Sequence, residues 1–210
     1  MIKSATAALA LILFLTGSAI SAEFSADMIM ETFAGANAGK IYFKNNDINR
    51  TEMMGMISII KRPNMYQLFP DTRMYTVSSL EDIKKENPMA GAANFNEWME
   101  SNNLKKSGTE TVQGYVCDIY EGELKMDENH PSVHIKLWFS KKLEYPIKQE
   151  SELPPPAGKM ASRLENINPG SQPDSLFEVP AGYTKAMNVQ EAMGMGGMPS
   201  FGEAGQGAMP

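Results

Sequence analysis

Val133-His134-Ile135-Lys136-Leu137-Trp138-Phe139 decides how the rest of the chain is read. Val133, Ile135, Leu137 and Phe139 fall on one side of an extended backbone. His134, Lys136 and Trp138 fall on the other, because successive side chains of a strand alternate. One apolar side against one polar side is the pattern of a half-buried strand in an antiparallel sheet. Just upstream, residues 106–112 and 115–124 flank Gln113-Gly114, a tight hairpin turn. Downstream, Lys141-Lys142 turns into a strand over 143–150, Pro154-Pro155-Pro156 forms a rigid connector, and 159–168 reads as a last strand.

The first half of the chain repeats the theme. Phe24, Ala26, Met28 and Met30 alternate with Ser25, Asp27, Ile29 and Glu31, and Ile41 and Phe43 share one face of a strand over 39–44. Asn45-Asn46-Asp47 is a turn cluster. Residues 48–53 and 56–61 form two strands hinged at Gly55. After Arg62-Pro63-Asn64, strands follow over 65–69 and 73–77, separated by Pro70-Asp71. Strands at about eight- to ten-residue spacing indicate an antiparallel meander, sandwich or barrel.

A helical interval separates the two halves. Ser79 is placed to cap a helix over 80–87, with Glu81 and Asp82 in its first turn and Lys84 and Lys85 later, as the helix dipole favours. Pro88 ends it. After the small-residue linker Ala90-Gly91-Ala92-Ala93, Asn94 is placed to cap a second helix through Asn103, with Phe95, Trp98 and Met99 at helical spacing. Near the end, residues 173–177 read as one helical turn, and Val179-Pro180-Ala181-Gly182-Tyr183 tucks back. The expected fold class is α+β, mainly β.

The chain divides into three parts. Lys3, the apolar run over 5–15 and the small residues before Glu23 have the order of a secretory signal peptide, residues 1–22, cleaved after Ser21 or Ala22. The run is too short to span a bilayer, which takes roughly 20 apolar residues. Residues 23–185 read as a single β domain. Residues 186–210 are rich in Gly, Met, Ala, Pro and Gln, and read as a disordered tail.

Composition excludes several functions. The formal charge is −6, with no basic cluster, which argues against nucleic acid. Cys117 is the single cysteine and sits in a strand pattern, so packing rather than a disulfide must hold the fold. The two histidines, His130 and His134, lack the spacing and third ligand of a zinc site. No catalytic motif is present, and no metal or cofactor is expected. Methionine is the unusual residue, with 17 in the chain. Met28, Met30, Met53, Met54, Met56, Met65 and Met74 fall in or beside predicted strands, as core filling or as an adaptable apolar cavity. Met187, Met193, Met195, Met198 and Met209 in the tail are soft thioether ligands of the kind copper(I) prefers, though loosely spaced.

Several stretches resemble one family. They are Gly39-Lys40-Ile41-Tyr42-Phe43-Lys44 followed by Arg50-Thr51-Glu52, and Ile60-Lys61-Arg62-Pro63-Asn64 leading to Met74-Tyr75. With them go Glu110-Thr111-Val112-Gln113-Gly114-Tyr115 followed by Asp118-Ile119-Tyr120, Leu137-Trp138-Phe139-Ser140, and residues 174–183. Over roughly residues 24–185 the chain resembles LolA-like exported proteins, in particular a bacterial set filed as a domain of unknown function. The resemblance implies a strongly curved antiparallel sheet, an unclosed β-barrel, with helices against its concave face. LolA-like relatives carry acyl chains across the periplasm, bind lipids or act as envelope sensors. The family shares a shape rather than a catalytic residue set. The Gly/Met tail departs from the carriers.

The resulting expectation is a non-enzymatic periplasmic protein, with secretion from the cell as the other destination. Its partner is a lipid or acyl-chain ligand, or, alternatively, an envelope protein. The ligand-lining residues expected from alternation are Phe24, Met28, Met30, Ile41, Phe43, Val133, Ile135, Leu137 and Phe139, with Phe95 and Trp98 on a helical lid. The same residues fit a closed, dry core.

Overall fold

Tight turns set the order of the sheet. In the computed structural model, which describes residues 23–86, 95–125, 132–154 and 158–195, six strands come first: β1 (Phe24–Thr32), β2 (Gly35–Asn45), β3 (Ile48–Met53), β4 (Met56–Lys61), β5 (Asn64–Phe69) and β6 (Met74–Ser79). Helices α1 (Leu80–Glu86) and α2 (Phe95–Ser101) follow. Then come β7 (Lys105–Val112), β8 (Tyr115–Leu124), β9 (Val133–Ser140), β10 (Tyr145–Glu152) and β11 (Lys159–Pro169). A 3-10 turn (Asp174–Phe177), β12 (Thr184–Lys185) and α3 (Val189–Ala192) complete the described chain. The signal-peptide residues, the Asn94 cap, His130 and residues 196–210 lie outside the described residues.

The strands form one sheet in the order β12-β6-β5-β4-β3-β2-β1-β11-β10-β9-β8-β7. Two meanders are stitched together by β1 and β11, where Phe24 faces Pro169 and Met28 faces Leu164. β7 and β12 stand at opposite edges, so the curved sheet does not close. This is the architecture the resemblance implied, with one addition: β12 pairs with β6 in parallel.

Local chemistry explains the register. Met54 and Gly55 (φ 52° and 76°), and Gln113 and Gly114 (φ 51° and 78°), supply the paired positive φ angles of a two-residue hairpin turn. Irregularities in register at Phe43/Asn45, Ser25/Asp27, Lys106/Gly108 and Pro146/Lys148 sharpen the local twist, which curls a sheet this wide. The Ser79 hydroxyl accepts from the Glu81 amide at 3.2 Å, as the sequence suggested for the start of α1.

Both faces of the sheet bury apolar surface. On the inner face, Trp98 and Met99 of α2, with Leu104, pack on Leu124, Val133, Ile135, Leu137 and Phe139. Phe24, Ala26, Ile41, Phe43 and Leu164 form a cluster with Cys117, Trp138, Leu143 and Ile147. On the outer face of β3–β6, Ile59 and Leu68 are covered by Phe177, with Leu176, Val179 and Tyr183 around it. Cys117 is buried and unpaired, and burial pushes its thiol pKa up, as suits an inert core residue.

The tail boundary needs a correction. The expected domain ended at Lys185, yet Ala186 and Ala192 are buried against Phe69. Two local features hold this stretch. Asn188 caps α3, its Oδ1 accepting from the Glu191 amide at 2.8 Å, and Glu191 accepts from the Met187 amide at 2.7 Å. This is a close variant of the reciprocal capping box. The small side chains of Ala186 and Ala192 then let the segment lie close to the sheet. Low complexity hid a short folded segment.

Asp118 on β8 gives a pH-dependent prediction. Lys106 Nζ lies 2.7 Å from Oδ1 and Lys141 Nζ 3.0 Å from Oδ2. The hydrogen bond from Lys106, then that from Lys141, holds its carboxyl below the ordinary 3.8. A depressed carboxylate contributes stability above its unfolded pKa, and that contribution is lost as pH falls through the folded value. The stability gap between the native protein and Asp118→Asn should therefore be full near neutral pH and shrink below about pH 4. Urea midpoints measured from pH 7 to pH 2 check this; a gap that stays constant to pH 2 contradicts it.

Candidate functional site

Register assigns the inner face residue by residue. Phe24 faces Phe43, and Ala26 faces Ile41. Leu137 faces Gln149, Gln149 faces Ser162, and Ser162 faces Met30. Phe24, Met28, Met30, Ile41, Phe43, Val133, Ile135, Leu137 and Phe139 thus share one face. Phe95 and Trp98 lie over it on α2. Tyr145 links the two inner clusters, its ring 5.1 Å from both Phe43 and Phe95 and 5.7 Å from Phe24. Burial pushes the Tyr145 phenol far above its usual pKa, so it stays neutral.

These residues differ in what they leave open. Phe24, Ile41, Phe43, Val133, Ile135 and Leu137 are 0–1% exposed, and Phe139 and Trp98 are also buried. They form packed core with no free surface. Met28, Met30 and Phe95 are half-buried, and Met30 joins neither cluster. A cleft of about 40 Å³ lies between α2 and the sheet, lined by Met28, Phe95, Tyr145, Gln149 and Leu164 among others. That is room for about one water, against roughly 300–1,000 Å³ for a small-molecule site.

A half-buried row of methionines crosses the same face, while a wider opening of about 460 Å³ lies on the opposite face, lined by Asp27, Ile29, Lys40, Glu52 and Glu165 among others. Leu164, Met28, Gly39, Met53 and Met56 follow one another as register partners across β11, β1, β2, β3 and β4. Met56 and Met74 then pack against Phe69. All four methionines are half-buried. Gly39 is required here: a Cβ would collide with the Glu52 carbonyl oxygen and crowd Met53. Beside this row runs a second, in which Thr51, Ser58, Gln67 and Thr76 face one another across β3–β6. No side chain that register places on the inner face of β1–β6 is ionisable. The surface is neutral and rich in thioethers, with hydroxyl and amide groups along one side. It is bounded by α2 towards β8–β10 and by α3 at β6.

The outer face of β8–β11 differs sharply. Trp138 donates from Nε1 to Glu110 Oε2 at 2.6 Å, with Lys148 Nζ 4.2 Å and Lys136 Nζ 5.1 Å from its ring. Around it, Glu121–Lys136 (2.7 Å) and Lys148–Glu150 (2.6 Å) form ion pairs. The indole is buried in a cluster with Cys117, Leu143 and Ile147, and the ion pairs surround it.

Sequence reasoning counted Met53, Met56, Met65 and Met74 as unusual but did not place them on a face. The signal was present in the short hairpin over 48–61. Counting by two from its turn puts Met53 and Met56 on the face that carries Thr51 and Ser58.

The fold recurs in a structure of an uncharacterized conserved protein from Thermus thermophilus, at a TM-score of 0.53 and 10% identity, covering 80% of this chain and 91% of that one. A LolA superfamily protein from Nitrosomonas europaea aligns with a TM-score of 0.44 at 14% identity, over 75% of this chain and 90% of that one. No curated protein matches the sequence. Residues 19–145 match the family described as "Domain of unknown function (DUF4412)".

Proposed function

The chain belongs to the DUF4412 family, and we propose that it is a non-enzymatic cell-envelope protein that binds a lipid or similar apolar ligand along the methionine row of its inner face. The observation that supports this is the half-buried row Met28, Met53, Met56 and Met74 on an uncharged face. Unbranched thioethers re-pack around varied hydrocarbon shapes, and the Thr51–Ser58–Gln67–Thr76 row offers hydrogen bonds to a less apolar end. No helix among the described residues is long and apolar enough to cross a membrane. Delivery to the periplasm rests on the signal-peptide reading of residues 1–22.

The size of the effect is bounded by transfer energetics. Each buried methylene contributes about 0.8 kcal/mol, so about fifteen or more of them are needed to offset an association cost of at least about 4 kcal/mol and reach about micromolar affinity. Met28 and Phe95 both line the small cleft between α2 and the sheet, so a longer chain would enter it by displacing α2.

The test is native mass spectrometry of protein purified from the envelope, with organic extraction and titration with a fluorescent fatty acid. A stoichiometric co-purified lipid, or micromolar uptake lost in a Met53→Asp/Met56→Asp variant, is the expected result. An empty protein that takes up no probe points instead to an envelope protein-interaction module. That second reading has its own support in the dry packing beneath α2, where Ile135 and Leu137 have no exposed surface.

A further inference from the structure

The cleft between α2 and the sheet is small, but its wall is not apolar throughout. Tyr145, Gln149 and Ser162 line it beside Met28, Phe95 and Leu164. Gln149 and Ser162 face each other across β10 and β11. A phenol, a primary amide and a serine hydroxyl thus share one cleft with hydrocarbon. None of these three side chains has a hydrogen-bond partner among the described residues. Nor is any of their polar atoms sealed inside protein. Buried polar groups in folded proteins are ordinarily paired. These three are left to bond whatever enters the cleft.

The cleft offers no free charge. Arg163 is the one charged residue along its wall. Register turns that side chain to the other face, opposite Ile29 and Lys148, where it pairs with Glu31 and Glu165. Burial keeps the Tyr145 phenol protonated, so it stands as a donor. Phe24, Phe43 and Phe95 pack around its ring, which fixes the donor before any ligand arrives. A carboxylate here would lose its water with no cation to replace it. A neutral carbonyl or hydroxyl oxygen can accept from Tyr145, Ser162 or the Gln149 amide. The size agrees, because about 40 Å³ holds one water-sized group and not a whole ligand.

We propose that Tyr145, Gln149 and Ser162 form a polar anchor that selects apolar ligands ending in a neutral oxygen group, an ester carbonyl or a hydroxyl, over those ending in a carboxylate. The proposal rests on the reading of the inner face as an apolar-ligand surface, and it names the head group that surface takes. The oxygen sits in the cleft, and the hydrocarbon leaves it past Met28 and Phe95.

The experiment titrates the whole protein, Tyr145→Phe and Gln149→Leu with three fluorescent polyene probes of matched length. They are a fatty acid, its methyl ester and the hydrocarbon without a head group, all at mildly alkaline pH where the acid is ionised. The native protein should bind the ester about tenfold or more tighter than the acid. Each variant should bind the ester about fivefold more weakly and the hydrocarbon as before. Tyr145→Phe should also keep the native urea midpoint, since the lost hydroxyl makes no bond within the protein. A purely structural role for Tyr145 would instead weaken ester and hydrocarbon together. Equal loss for both probes in both variants, or no loss for either, overturns the anchor and leaves the inner face as an apolar surface. Tighter binding of the acid than of the ester overturns it as well. Uptake of no probe by the native protein removes the ligand reading, and the anchor with it. Gln149→Leu keeps the comparison valid if Tyr145→Phe disturbs the aromatic packing.

Discussion

Leu137→Asp should abolish cooperative folding, while Met53→Asp, on the same face of the same sheet, should leave a folded protein that no longer takes up ligand. Leu137 is 0% exposed beneath α2, within the cluster that contains Trp98 and Met99. An aspartate there loses about 2–3 kcal/mol of apolar burial. It must also remain neutral, which near pH 7 costs about 4 kcal/mol for a carboxyl with an ordinary unfolded pKa. Together these approach the whole stability of a typical domain, about 5–15 kcal/mol. Met53 is half-buried at the hairpin end of β3, where a carboxylate can turn towards water, so the expected loss is about 1 kcal/mol. Urea denaturation with tryptophan fluorescence reads both. A Leu137→Asp protein with a native midpoint would mean that the buried side of β9 has been assigned the wrong way round. A Met53→Asp protein that is folded and still takes up fatty acid with native affinity would remove the methionine row as the ligand site.

The contrast between those residues also marks how far sequence carries. Alternation in β1, β2 and β9 put nine side chains on one face, and register keeps them there, because each strand has enough apolar residues to define parity. The Gln113-Gly114 and Met54-Gly55 turns were legible because only a few residue types accept paired positive φ angles. What alternation could not separate was a packed half of the face from an open half. That distinction depends on where α2 comes to rest, and the position of a two-turn helix is a tertiary outcome. Tyr145 was missed for a related reason: it stands beside a register irregularity at Pro146/Lys148, where counting by two fails. The C-terminal segment was missed because alanine carries little pattern. Ala186 and Ala192 matter by being small under Phe69, and no periodicity records that.

Phe177→Ala should be the most disruptive single change outside the inner face, and its effect should appear first in the segment that follows it. Phe177 is 3% exposed and packs on Ile59 and Leu68, the centre of the outer cluster. Deleting a buried phenylalanine ring costs about 3–5 kcal/mol when the site cannot collapse around the gap. Collapse is limited here because the 3-10 turn is tied to the sheet. Arg50 Nη1 donates to the Leu176 carbonyl at 2.9 Å, and Lys44 is hydrogen-bonded to Asp174. The segment beyond Phe177 has little independent hold, since β12 is two residues long and α3 is four. Losing the ring should therefore free residues 178–195 before the meanders melt, as a low-stability unit. Limited proteolysis should cut within that segment under conditions where β1 and β9 remain protected, and the urea midpoint should fall. Asp174→Ala, which removes only an exposed partner of Lys44, should change the midpoint little. If Phe177→Ala leaves residues 178–195 resistant, the segment is held by the α3 contacts with Phe69 rather than by the outer cluster. If it releases them, α3 leaves the end of the methionine row, so a bound apolar ligand should dissociate faster. That would couple a packing residue on the outer face to the ligand surface on the inner one.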